Sequence, residues 1–230
     1  MPRSNHDSNT RKNAFLDCLA LLSRAFWGPD RESCRAMLRG DFLRPFEILS
    51  SLMPVDPSPA LAEINAFIAT HNDPDSLLEP LEESYVRLFI SHRDGIAAPL
   101  YQSCYTAGQP SAGRGLLMGT PAAEMQRRLR SVGLGLDEKI SRIPDHLSVE
   151  LEYLYYLIQD PSWTENSQSA KQARSFCADV MLPWILEFKN RLGGVPVDNP
   201  FYPRMADLLV SLVNLISGPS PPAGHPETGQ

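Results

Sequence analysis

The sequence predicts an all-α fold, a single globular domain of about nine or ten helices. Three observations carry that expectation. Apolar residues recur at spacings of three and four in almost every segment. Proline, glycine and asparagine stand where those segments start and stop. There is no alternating apolar–polar run longer than a few residues and no internal repeat. The 230 residues suit one ordinary domain, and the 43% in the apolar set can build a real core.

Residues 1–9 are polar and read as disordered, so the domain is expected over residues 10–217. A helical pattern begins at about Thr10, carries Phe15, Leu19, Leu22 and Phe26, and stops at Trp27-Gly28-Pro29. A second helix is expected from Asp30 to Arg39. Gly40-Asp41 opens a third through Leu52, with Pro45 in its first turn. Ser58 as cap and Pro59 at the first helical position start a fourth, which ends near His71-Asn72. In Asp75–Ser91, the residues Leu81, Tyr85, Leu88 and Phe89 share one face, with Glu82 and Glu83 on a solvated side. The periodicity is then lost over residues 92–120, a stretch rich in glycine and proline. A loop of that length in a compact domain is functional or mobile. It contains Tyr101, Ser103 and Tyr105, and these rings either cover a core edge or line a groove.

Thr120-Pro121 starts the next helix, with Met125, Leu129 and Val132 inward and the solvated Arg127, Arg128 and Arg130. Asp137–Ile143 leads into the central helix. After Asp160-Pro161, one long helix is expected over Ser167–Leu192, kinked at Pro183. Asn199-Pro200 opens the last helix, Gly218 closes it, and residues 218–230 form a polar tail that reads as disordered.

The central helix spans Pro144–Asp160, PDHLSVELEYLYYLIQD. Pro144 and Asp145 read as its start, a proline and then a capping carboxylate. Ser148, Glu152 and Gln159 cluster on one narrow face, and apolar side chains cover almost all the rest. Such a helix sits at the centre of its domain. Two ionisable residues, His146 and Glu150, fall inside the apolar arc one turn apart and can face each other. An ionisable pair there costs desolvation energy unless it is satisfied. It is either a hydrogen-bonded structural pair or a binding site for a polar or cationic partner at the helix N-terminus.

The formal charge of −6 and pI of about 5.4 argue against nucleic acid and weakly favour basic ligands. Cys18, Cys34, Cys104 and Cys177 show no metal-ligand spacing and read as reduced thiols. No apolar run has the length of a membrane span, and residues 1–13 lack the apolar core of a secretory signal, so a cytoplasmic location is expected. The GRGLLMG segment is no phosphate loop, and no GxxxxGK[ST], HExxH or nucleophile elbow is present. Asp145 and His146 are adjacent, so their side chains diverge by about 100° on a helix. That placement is poor for an acid–base dyad, and binding is favoured over catalysis.

The stretch IPDHLSVELEYLYYLI resembles the signature of the TorD/DmsD/NarJ redox-enzyme maturation chaperones. Tyr85-Val86-Arg87-Leu88-Phe89 resembles the family's Y-x-R-L-F helix. Tyr101-Gln102-Ser103-Cys104-Tyr105 resembles its Tyr-Glu-Ser-Val-Tyr element, with Gln102 replacing the acid, which weakens any charged role there. Ala122–Leu134 resembles the helix ending in Ala-Gly-Leu, here Val132-Gly133-Leu134, and Trp184, Phe188 and Phe201-Tyr202 also fit. The resemblance covers residues 10–216. It implies a TorD-like fold and a cytoplasmic chaperone of anaerobic respiration, not an enzyme and without a cofactor or metal. Its partner would be the catalytic subunit of a molybdopterin oxidoreductase. It would bind that subunit's twin-arginine signal peptide and delay export until the cofactor is loaded.

On that reading Asp145 and Glu150 are candidates for the arginine contacts, because carboxylates accept paired guanidinium bonds. His146 orients them or senses their charge. Tyr85, Leu88, Phe89, Tyr101, Ser103 and Tyr105 are candidates for the groove. The rival classes are a nucleotide-binding regulator and a small hydrolase using His146. The client is open among reductases of N- or S-oxides, nitrate reductase and formate dehydrogenase, and so is the choice between a monomer and a helix-swapped dimer.

Overall fold

The computed structural model describes residues 5–91, 95–105, 119–135, 143–164 and 166–218, with side chains from residue 10 on. Ten α-helical segments are present among them: α1 Asn5–Trp27, α2 Arg31–Leu38, α3 Arg44–Leu49, α4 Ser58–Ala69, α5 Pro74–Tyr85, α6 Thr120–Ser131, α7 Leu147–Gln159, α8 Gln168–Ser175, α9 Leu182–Gly193 and α10 Phe201–Ser217. No strand occurs among the described residues, only an isolated bridge between Tyr101 and His146. The all-α expectation is met. Most of Asp137–Ile143, the GRGLLMG stretch and the tail after Gly218 lie outside the described residues.

Several boundaries differ from the periodic reading. Helix α1 begins at Asn5, not Thr10. No proline or glycine interrupts residues 5–10, so apolar periodicity marks where the helix is buried and not where it starts. Asp73, not Asp75, caps α5, accepting from the N–H groups of Asp75 (3.0 Å) and Ser76 (3.1 Å). Ser58 and Thr120 are already helical, and neither caps with its side chain. The predicted kink at Pro183 takes a specific form. Proline has no N–H to donate, and the backbone before it widens into a π turn, Phe176–Met181, with the Leu182 N–H reaching the carbonyl of Cys177. Helices α8 and α9 therefore run on as one bent rod. A second π turn, Val86–Ile90, continues α5 and closes with the Ser91 N–H on the carbonyl of Val86 at 2.9 Å.

Helix α7 is central, and α1 lies antiparallel along it. Lys12 Nζ donates to the carbonyl of Asp160 at 2.6 Å, at the far end of α7. At the start of α7, Ser148 Oγ donates to the carbonyl of Ser23 at 2.9 Å, and Ser23 Oγ donates to the carbonyl of Ser148 at 3.3 Å. Trp27 Nε1 donates to Glu152 Oε1 at 2.9 Å. The narrow polar face of α7 thus meets a neighbouring helix. The opposite face buries Leu147, Leu151, Leu154 and Leu157 in the core, each contributing about 1.5–3 kcal/mol by leaving water. Helix α1 ends at Gly28, whose φ of +126° suits glycine.

Glu150 lies inside this core with no exposed surface. Its Oε2 accepts from Trp184 Nε1 at 3.0 Å, bolting α7 to α9. Its Oε1 has no hydrogen-bond partner among the described residues. Burial drives the Glu150 carboxyl well above its ordinary value of 4.5; Asp145 adds to the rise, and Trp184 and Arg128 oppose it. The folded chain therefore keeps a proton that the unfolded chain releases, so stability falls as pH rises from about 4.5 toward the raised value. Glu150→Gln keeps an acceptor for Trp184 and removes the titration. In melting curves from pH 5 to 8, the variant is expected to gain several degrees over the wild type at pH 8 and less at pH 5, at roughly 2–4 °C per kcal/mol. A wild-type Tm that does not fall over this range relative to the variant would contradict it.

Candidate functional site

The start of α7 is buried, so its free backbone donors need partners inside the protein. All four have one. The Leu147 N–H donates to the carbonyl of Leu100 at 2.8 Å. The Ser148 N–H donates to His146 Nδ1 at 3.1 Å. The N–H groups of Val149 and Glu150 share the carbonyl of His146 at 2.9 and 3.1 Å. His146 is thus the N-cap, the position expected for Asp145. A neutral ring with its lone pair on Nδ1 meets that role. The ring is stacked flat on Trp27, centroids 4.4 Å apart, and takes the Tyr101 ring edge-on at 5.0 Å.

Asp145 lies in the turn before the helix, fully buried. Its carbonyl accepts from the Gln102 N–H at 3.0 Å, and its Oδ2 accepts from the Ser103 N–H at 2.8 Å. Its Oδ1 has no hydrogen-bond partner among the described residues. The carboxylate therefore latches the 100–104 loop onto α7. The 3₁₀ turn Gln102–Cys104 lies within that loop. Gln102, where the family pattern has an acid, contributes its backbone to the junction.

The structure brings Asp145, His146, Ser103 and Tyr101 together in one junction, with Glu150 one turn further into α7. Asp145, His146, Ser103 and Glu150 are buried there, and Tyr101 is half-buried. Two of the expected groove residues are corrected: Leu88 and Phe89 are 0% and 3% exposed. Phe89 packs among Phe26, Tyr85, Phe188 and Tyr202, with centroids 5.1–6.2 Å apart. This pair continues the buried face of Leu77 and Leu81 and leaves Val86 and Ile90 outward. Tyr85 is half-buried and donates its hydroxyl to the last carbonyls of α1, Phe26 and Trp27, both at 3.2 Å. Burial pushes its phenol to about 12. Tyr105 donates to the carbonyl of Pro99 at 2.8 Å and lies under the Arg191 guanidinium at 4.4 Å. The rings of the loop therefore cover a core edge. Sequence reading missed Trp27, which it took as a stop signal; an aromatic at the last turn of a helix carries no mark of the histidine it will meet.

Among the described residues no group of three histidines, cysteines or carboxylates could hold a metal ion, and no helix is long and apolar enough to cross a membrane. The latch has a direct consequence. Asp145→Ala is expected to lose about 1–3 kcal/mol in denaturant unfolding, because it strands the buried Ser103 N–H. The Ser103 amide should also lose protection in hydrogen exchange. Asp145→Asn, which retains an acceptor oxygen, should lose less. Unchanged protection at Ser103 in the alanine variant would show that the carboxylate does not hold the loop.

The family model described as nitrate reductase delta subunit matches residues 56–190, from just before α4 into α9. A chaperone protein TorD of Shewanella amazonensis is 31% identical over 172 residues, which span 68% of this chain and 69% of that protein. TorD chaperones of Vibrio cholerae and a Psychrobacter species are 31% and 30% identical over 132 and 144 residues, 56% and 61% of their own lengths. A solved structure assigned to redox enzyme maturation in Archaeoglobus fulgidus is 22% identical, with a TM-score of 0.45 over 87% of this chain and 91% of that one. The matched region contains both the Tyr85–Phe89 segment and the Asp145–His146 junction. The chain belongs to the TorD/DmsD/NarJ family of redox-enzyme maturation chaperones.

Proposed function

We propose that this chain acts in the cytoplasm as the dedicated chaperone of one molybdopterin oxidoreductase. It binds the twin-arginine signal peptide of the catalytic subunit and assists cofactor insertion before export. Kinship with proteins named TorD chaperones carries the reading. The junction geometry is compatible with it. The Nδ1 atom of His146 is engaged as a helix cap and the Asp145 carboxylate as a loop latch, so both are used for architecture. The formal charge of −6 complements a peptide that is basic at one end.

Titration calorimetry on the full chain tests this, with a synthetic peptide of two adjacent arginines followed by an apolar run. Saturable binding is expected, weakened severalfold when both arginines become lysines, because lysine lacks the planar fork that pairs with a carboxylate. Absence of binding to the arginine peptide would overturn the reading.

A further inference from the structure

An open groove of about 820 Å³ runs between the end of α5 with its π turn and the connection from α9 to α10. Glu79, Glu82, Glu83 and Val86 line one wall, and Val195 and Pro196 the other. Along α5 and its π turn the wall is graded. Glu79, Glu82 and Val86 follow one another at spacings of three and four, and Ile90, four residues on, extends the row beyond the lining of the groove. The first two are exposed carboxylates. The last two are apolar side chains left 48% and 55% exposed. One end of the stripe is acidic and the other apolar.

The groove already holds a guanidinium, that of the chain's own Arg87. It pairs with Glu83 at 3.3 Å on its own helix. Across the groove it donates to the carbonyl of Pro196 at 3.4 Å and lies 3.7 Å from Asp198. These exposed pairs are weak and exchangeable. Among the described residues, Glu83 and Asp198 pair with this guanidinium, while Glu79 and Glu82 line the same groove, so acceptor capacity remains after Arg87 is served.

We propose that this groove is the client-peptide site. Paired arginines would sit against Glu79, Glu82 and Glu83, and the following apolar residues on Val86 and Ile90. Arg87 acts as an internal stand-in that the client displaces from Glu83 and Asp198. The inference rests on the peptide-binding reading above and moves the arginine contacts from the buried Asp145 and Glu150 to an exposed surface. Charge complementarity selects the occupant: the carboxylates call for cations, and the adjoining apolar strip calls for a chain that turns apolar after them.

Calorimetry with the same arginine–apolar peptide decides it. The triple variant Glu79→Gln, Glu82→Gln, Glu83→Gln is expected to weaken binding tenfold or more. Ile90→Ser should weaken it severalfold. Arg87→Gln should strengthen it severalfold, because it vacates Glu83 and Asp198. All these positions are at the surface, so unchanged melting curves can be required of each variant. If the wild type binds no such peptide, the functional reading fails. If the wild type binds and the triple variant binds equally well, the groove is overturned and the functional reading stands. A loss of affinity in Arg87→Gln would overturn the stand-in role. A wild-type dimer in gel filtration that the triple variant dissociates would assign the groove to a second copy of the chain and overturn the proposal.

Discussion

The buried N-terminus of α7 is the constraint on which the rest of this molecule depends. A helix start carries unpaired N–H groups and a partial positive charge, and burying it is unfavourable unless each donor is met. Here the partners come from two parts of the chain. Leu100 supplies a carbonyl from the loop, and His146 supplies a ring nitrogen and a carbonyl of its own. Trp27, from the last turn of α1, holds that ring flat. The loop is in turn fixed by Asp145 through the Ser103 amide. Three segments far apart in sequence, the end of α1, the 100–104 loop and the start of α7, therefore meet in this junction.

The same junction explains why two carboxyl groups persist where hydrophobic residues would pack. Asp145 and Glu150 are both fully buried, and among the described residues each leaves one oxygen without a partner. Each also performs a task that an apolar side chain could not. Asp145 accepts a buried backbone N–H, and Glu150 accepts the indole N–H of Trp184. The cost falls on Glu150, which sits in the more apolar surroundings and moves toward its neutral form.

Much of this architecture was legible in the sequence. The order of helices, the centrality of α7 and the backbone break at Pro183 follow from periodicity and from proline chemistry. The pair of His146 and Glu150 stood out because ionisable groups in an apolar arc must be satisfied. What satisfied them was not legible, since Trp27, Ser103 and Trp184 lie 119, 43 and 38 residues from His146. Asp145 was the natural choice of cap from residue type alone. The backbone bridge to Tyr101 shifts the helix start by one residue and gives the cap to His146 instead. Leu88 and Phe89 were placed on a groove through the family resemblance, although the face they share with Leu81 by helical spacing is the one the core buries.

Signature and surface thus occupy different places in this chain. The most diagnostic residues, Asp145 and His146, are 0% and 5% exposed, and their hydrogen bonds are spent on the protein itself. The segment Val86–Ile90 divides between two roles. Leu88 and Phe89 enter the core, while Val86, Arg87 and Ile90 stay at the surface next to three glutamates. Helical spacing alone puts Leu88 and Phe89 on the side away from Val86 and Ile90, so one short segment couples a fixed interior to an exposed strip of mixed acidic and apolar character.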